Sequence, residues 1–386
     1  MTDPTSTKPS VDERFERLLI SPSQIQKILG KQGPAEVRFD QSEQGDARRR
    51  LLDVEKIARE SKRKQAQSEA AYVAKVNNEL HDVLLSELTE SLSYTSEVFQ
   101  DTLQLTEEIG GLIDALSVRV ASVSKLLPHA EALPWLYDDL MQIVNSPRFR
   151  RKDNKGKVIV VETMKTALSF LGIENLRVLL PSLILKRAMP QVTDPYPNIK
   201  VNLTRFAHAT SVTARELAPF YSLNRDHAYI FSMFSFFGRC AIIRLYFRLF
   251  DMVHQHMLRE TQQDKETSKF SALQQITPSP LFLITLQEEL AYKVSADMFE
   301  HLLLKRLPIA GAMRECAENT ALTDGSLPKI LKQASTYAQI RMLHRSKLVE
   351  FNEVKPILNA QSYPINALES LKSVDIFTLP TTSVEE

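Results

Sequence analysis

The sequence predicts an all-α protein, and three observations carry that expectation. Glycine is scarce, 10 in 386 residues, too few for the turns and bulges of a sheet-rich chain. From Ala47 to about Leu92 neither proline nor glycine occurs, and Ala, Glu, Lys, Arg, Leu and Gln dominate, the residues that lose least on entering a helix. Elsewhere apolar residues recur at three-four spacing, which draws one stripe along a helix. With 43% hydrophobic residues the chain can bury a substantial core, as two domains or as one large domain with extensions.

The elements follow in order. Val11 to Lys31 carries two apolar clusters, Phe15, Leu18, Leu19, Ile20 and then Ile25, Ile28, Leu29, separated by Ser21-Pro22-Ser23. Two short helices are expected there, the second capped by Ser23. Residues 30–45, with Gly33-Pro34 and several charges, read as a loop. A single long helix is expected over about 47–92. Its seam is Val73, Val76, Leu80 and Val83, interrupted by Glu87 and drifting onto Leu84 and Leu88. Between Arg59 and Ser68 it is almost wholly polar. Two readings stand for this helix, a solvent-spanning stalk docked at its ends and a dimerising coiled coil that would make the protein a homodimer; one or two heptads do not choose between them.

A periodic segment from Leu103 to Leu127 follows, with Gly110-Gly111 as a candidate interruption. Three prolines between Met189 and Val201 mark a loop separating two helical lobes. Thr277-Pro278-Ser279-Pro280 breaks the chain before a helix over 281–292, and Pro308 and Pro328 mark later helix starts. Residues 373–386, ending Thr-Thr-Ser-Val-Glu-Glu, are expected to be disordered.

Composition excludes several classes of function. A formal charge of +1 argues against global steering toward nucleic acid, so electrostatic recognition has to be local. The N-terminus holds no apolar stretch and reads as no secretory signal. The longest apolar runs, Val178 to Leu185 and Ala228 to Ile243, are interrupted by Pro181 and Arg239 and fall short of the ~18 residues of a membrane span. A cytoplasmic protein is the expectation. Cys240 and Cys316 sit in apolar contexts and read as buried reduced thiols. No zinc spacing, phosphate-binding glycine loop or nucleophile elbow occurs, and no cofactor is expected.

Tyr229 to Leu245 reads Tyr-Ile-Phe-Ser-Met-Phe-Ser-Phe-Phe-Gly-Arg-Cys-Ala-Ile-Ile-Arg-Leu. It resembles the core helix of the HD-domain superfamily, whose Leu-Leu-His-Asp-Ile-Gly-Lys-like stretch places a histidine and an aspartate on a binuclear metal. Ser235 and Phe236 stand at those two positions, and Gly238-Arg239 match the Gly-Lys. Upstream, Asn145-Ser146 at a helix end, Ala167 to Gly172, Ile173 to Leu180 and Arg205-Phe206-Ala207-His208-Ala209-Thr210-Ser211 follow the order of motifs in the HDOD domain, the HD-related output domain of bacterial signalling proteins. Lys305-Arg306-Leu307-Pro308 resembles its Trp-x-Leu-Pro, with Lys305 where an aromatic is usual and Glu315, Cys316 and Ala317 where histidines often follow. The resemblance spans about residues 101–320. It leaves 1–100 as a helical extension and 321–386 as a helical segment with a tail, and it implies an N-terminal helical lobe followed by an HD-like lobe.

Two sets of candidate site residues emerge. His208, which resembles the first metal histidine of a true HD domain, together with Ser211, Ser235, Phe236 and Arg239, is the candidate for a vestigial pocket. A hydroxyl and a phenyl ring replace neither imidazole nor carboxylate as ligands of a divalent cation, so no metal and no catalytic residue are assigned. The second set is the loop Arg148, Arg150, Arg151, Lys152, Lys155 and Lys157 around Phe149, a candidate grip for phosphates or another anion. The leading expectation is a non-catalytic signalling module that binds other signalling proteins. The alternatives are a nucleotide or nucleic-acid binder acting through the basic loop, with a cyclic dinucleotide among its candidate ligands, and an HD-type metal phosphohydrolase using other ligands.

Overall fold

Described in a computed structural model are residues 9–23, 25, 53–149, 158–318, 323 and 325–381, with side chains in the long helix from residue 60 onward. All regular elements among them are helices, with no strand. Helix α1, Val11–Ile20, starts at a reciprocal cap: Ser10 Oγ accepts from the Glu13 amide, and the Glu13 carboxylate accepts from the Ser10 amide at 2.8 Å. This Ser-x-x-Glu signature satisfies two of the amides that a helix start leaves unpaired. Ser23, expected to cap the second helix, already lies inside a further helical stretch, of which only 22–23 and 25 are described, and its amide donates to Ser21 Oγ at 3.3 Å, so Ser21 stands in the capping place; the loop over 30–45 lies outside the described residues.

Helix α2, Asp53–Ser93, is the expected long helix. Glu60 to Tyr72 are exposed, and the burial begins afterwards with Val76, Leu80, Leu84 and Leu88, none more than 1% exposed. The stripe runs strictly at every fourth residue, so Val83 of the expected seam is left 44% exposed. It packs on helices α9 and α10 of the same chain, defined below. Among the described side chains of this helix, docking is therefore through the C-terminal half.

The first lobe comprises α3 (Glu108–Ser117), α4 (Val123–Glu131), α5 (Pro134–Val144) and α6 (Met164–Ala188). Gly110-Gly111 do not interrupt α3. A β-carbon on Gly110 would sit 1.8 Å from the Leu302 carbonyl oxygen, so glycine here lets another part of the chain touch the helix backbone. The bend in this lobe comes instead at Gly172 (φ 75°, ψ 156°), which divides α6 where the sequence motif ends in Leu-Gly. Pro181 lies within the second half of α6 without ending it.

The second lobe holds α7 (Ile199–Leu217), α8 (Arg225–Phe234), α9 (Phe237–Gln263), α10 (Thr267–Leu273), α11 (Pro280–His301), α12 (Ala310–Ala317), α13 (Leu327–Arg345), α14 (Phe351–Ala360) and α15 (Ala367–Lys372). The run read as one core helix is two: Ser235 and Phe236 form the turn between α8 and α9. Helix α9 is the axis of the lobe, packed on α11, α2 and α10, with Tyr246 and Phe237 fully enclosed. Two helical stretches, Met164–Ala188, which continues through Pro181, and Arg225–Gln263, counted across the α8–α9 turn, are by length and composition apolar enough to cross a membrane, contrary to the sequence expectation; both are mostly buried inside the fold. Residues 373–381, expected to be disordered, are also packed: Arg345 lies over the Phe377 ring and Ile376 is fully buried. Residues 382–386 lie outside the described part.

Candidate functional site

The α8–α9 turn is held by a serine from another helix. Ser295 Oγ of α11 donates to the Ser235 carbonyl at 2.7 Å and accepts the Gly238 amide at 2.9 Å. The Gly238 amide belongs to the first turn of α9, which has no partner within its own helix. Gly238 is glycine for space: a β-carbon would lie 1.9 Å from the Ala291 carbonyl oxygen. The Gly-Lys-like motif thus marks the place where α9 and α11 touch backbone to backbone.

Around this turn the side chains are already engaged. Ser235 Oγ donates to the Ser232 carbonyl at 2.7 Å. The Phe236 ring meets Phe206 of α7 edge-on, with centroids 5.1 Å apart, and Phe206 meets Phe15 of α1 in the same manner at 4.6 Å. Such pairs contribute about 0.5–1.5 kcal/mol each beyond the area they bury. One turn further on, Arg239 forms a two-pronged ion pair with Glu16 of α1, Nη2 to Oε1 at 2.8 Å and Nη1 to Oε2 at 2.9 Å, and also donates to Gln287 Oε1 at 3.1 Å. Burial opposes the charge on Arg239, but the Glu16 carboxylate overcomes it and holds the guanidinium pKa above its ordinary value. Beside the pair remains a cavity of about 270 Å³, walled also by Glu288, Tyr292, Ser335 and Gln339. Glu288, partly desolvated and facing Glu16, has its pKa raised.

The structure brings together Ser235, Phe236 and Arg239 of the expected pocket and leaves out His208 and Ser211. Phe206 faces the Arg239 cavity, and His208, two residues along, points to nearly the opposite side of α7 because each helical residue turns by about 100°. His208 lines a separate, largely apolar cavity of about 260 Å³ with Leu183, Lys186, Thr204 and Leu379. Burial pushes its imidazole pKa down to about 4. Ser211 is fully buried, donating to the Ala207 carbonyl at 2.8 Å with Met233 Sδ 3.8 Å away.

Of the basic loop, Arg148 is described and Arg150, Arg151, Lys152, Lys155 and Lys157 lie outside the described residues. Arg148 donates to Thr381 Oγ1 at 2.7 Å, and its guanidinium lies 5.6 Å from the centroid of the Phe149 ring. Phe149 is 5% exposed, so its ring serves packing and presents no stacking platform for a base. Asn145 explains the Asn-Ser motif. It donates to the Val161 carbonyl at 3.0 Å and accepts the Val161 amide at 2.9 Å, clasping the far end of the loop to the end of α5.

A binuclear metal does not fit these residues. Ser235 and Phe236 supply no ligand for it, and no three His, Cys, Asp or Glu side chains gather among the described residues. Two further histidines are engaged elsewhere: His254 Nε2 with the Leu273 carbonyl at 2.8 Å, and His301 Nε2 with Thr95 Oγ1 at 2.9 Å. Neither cysteine is in a disulfide, and burial pushes both thiols up to about 12.

Residues 104–275 match the family model of the HDOD domain. No curated protein matches the chain. Among solved structures it is similar to one named "Putative metal-dependent phosphohydrolase" from Shewanella amazonensis SB2B, at 14% identity and a TM-score of 0.42, over 76% of this chain and 95% of that one.

The matched stretch contributes Phe206, Ser235, Phe236 and Arg239 to the Arg239 cavity, while Phe15, Glu16, Gln287 and Gln339 come from helices outside it. The site is therefore a seam between the matched stretch and its flanking helices. Reading by motif missed Glu16 and Gln287. The capping signature at Ser10-Glu13 was available to place α1, but nothing in the order of residues says which cation a buried glutamate will meet.

Proposed function

We propose that this chain is a non-catalytic regulatory module of signal transduction, acting in the cytoplasm by binding other signalling proteins. One observation carries the reading: at the two positions where an HD domain holds its metal, the Phe236 ring is packed edge-on against Phe206 and the Ser235 hydroxyl is committed to the Ser232 carbonyl. Without a bound cation to lower the pKa of water, hydrolysis of a phosphoester lacks its nucleophile at neutral pH. The domain then retains shape and surface, and a regulatory role is what a shape without a reaction centre supports.

The test is elemental analysis of the purified protein, joined to assays with phosphomonoester and phosphodiester substrates. The reading requires iron, manganese and zinc well below one per chain and no turnover above the uncatalysed rate. Stoichiometric metal with turnover that chelation abolishes would overturn it. Co-purification from the native cell, followed by mass spectrometry, identifies the partner.

A further inference from the structure

Helix α1 covers the α8–α9 turn, and the way it does so is unlike an ordinary core contact. Its ten residues bury Phe15, Leu18, Leu19 and Ile20 against the second lobe, with α7, α11 and α13 as packing partners. Along with them it buries two charges, Arg14 at 3% and Glu16 at 8% exposure. Arg14 reaches the Leu348 carbonyl at 2.6 Å and Glu353 at 3.0 Å, and Glu16 takes both prongs of Arg239.

Buried ion pairs are a poor means of permanent closure, because desolvating two charges offsets most of their attraction and apolar residues of the same volume do as well or better. What such a pair supplies is discrimination, since a helix with the wrong charge leaves Arg239 buried and alone. The fit is also incomplete, with the 270 Å³ cavity left beside Glu16. A ten-residue helix has little stability of its own, so α1 owes its structure to this groove. Anchors at Phe15, Glu16, Leu18 and Leu19 form the pattern by which an amphipathic helix is read in a groove.

We propose that the face of the HDOD domain around Arg239 is a docking groove for an amphipathic helix of a partner protein, one with an aromatic–glutamate pair followed by leucines three and four positions after the aromatic. Helix α1 is its intramolecular occupant, which the partner helix displaces. This deepens the partner-binding reading above and rests on it. The groove sits where an HD domain would carry out its chemistry, so the old reaction centre has become a recognition surface. Phe206 and Phe236 form the slot for the aromatic ring, and Arg239 with Gln287 reads the carboxylate.

The probe is a fluorescent peptide of residues 9–25 of this chain, measured by anisotropy against the full-length protein and its Phe15→Ala/Glu16→Ala variant. The variant, with its own α1 weakened, is expected to bind the peptide at least tenfold more tightly than the wild type does. A peptide carrying Glu16→Lys, or the addition of Arg239→Ala to the variant, should abolish binding. Absence of saturable binding to a variant that still melts cooperatively overturns the proposal, as does binding indifferent to Glu16→Lys. Should the variant not fold, hydrogen exchange on the wild type decides. Peptide above the effective concentration of the tethered helix, on the order of millimolar, should speed exchange of the α1 amides, and unchanged exchange overturns the groove. None of these measurements reads metal content, so failure of the groove is distinguishable from failure of the non-catalytic reading.

Discussion

Ser295 and Gly238 are joined by a hydrogen bond of 2.9 Å from the glycine amide to the serine hydroxyl, while the same hydroxyl donates to the Ser235 carbonyl. One fully buried oxygen therefore ends α8, starts α9 and fixes both to α11. Ser295→Ala leaves a buried amide and a buried carbonyl short of a partner, at about 1–3 kcal/mol together. Gly238→Ala should be worse, since its methyl would overlap the Ala291 carbonyl and push two backbones apart. Urea unfolding of both variants checks the order.

The Arg239–Glu16 pair yields a second expectation. Glu16→Ala strands a guanidinium that is only 18% exposed and should cost about 3–5 kcal/mol. Glu16→Ala with Arg239→Met removes both charges and should recover much of that loss. A double-mutant cycle on unfolding free energies measures the coupling; additive losses would mean the two charges do not depend on each other.

His208 gives a pH dependence whose sign is fixed. With its folded pKa at about 4 and an ordinary value near 6.5, the unfolded chain binds the proton more readily across that window. Stability contributed by the neutral imidazole is present above about pH 6.5 and is lost as pH falls toward 4, amounting to about 2 kcal/mol between pH 7 and 5. His208→Gln should flatten that part of the pH profile, read as the difference between the two proteins' urea midpoints.

Cys240 is fully buried with its thiol pushed up to about 12. At pH 8 it holds almost no thiolate and should react with iodoacetamide only through opening of the second lobe. Labelling rates that rise with urea in step with unfolding confirm this; rapid labelling of the native protein refutes it.

The helical content was readable because glycine is rare and α2 avoids helix breakers over its whole length, so local preference and tertiary structure agree there. Motif order singled out Ser235-Phe236 but read them inside one core helix, whereas the structure makes them the turn where α8 gives way to α9. What the sequence hid is geometric. His208 and Arg239 look like neighbours by family position, yet α7 turns His208 toward Leu379 and Phe206 toward Arg239. The tail over 373–381 looked too polar to pack, but Ile376, Phe377 and Leu379 find a buried place, a partner ring contact and a cavity wall. Neither outcome follows from spacing along one helix, because each depends on which distant element arrives.

The bend at Gly172 differs in kind from the close approaches at Gly110 and Gly238. Nothing lies within 4 Å of where its β-carbon would stand, yet φ is 75°, a backbone state that L-residues enter only at a steric cost. Volume therefore plays no part in selecting the amino acid there; handedness alone does. A mirror-image alanine introduced by semisynthesis would suit that position, while the natural enantiomer would straighten or loosen the first lobe.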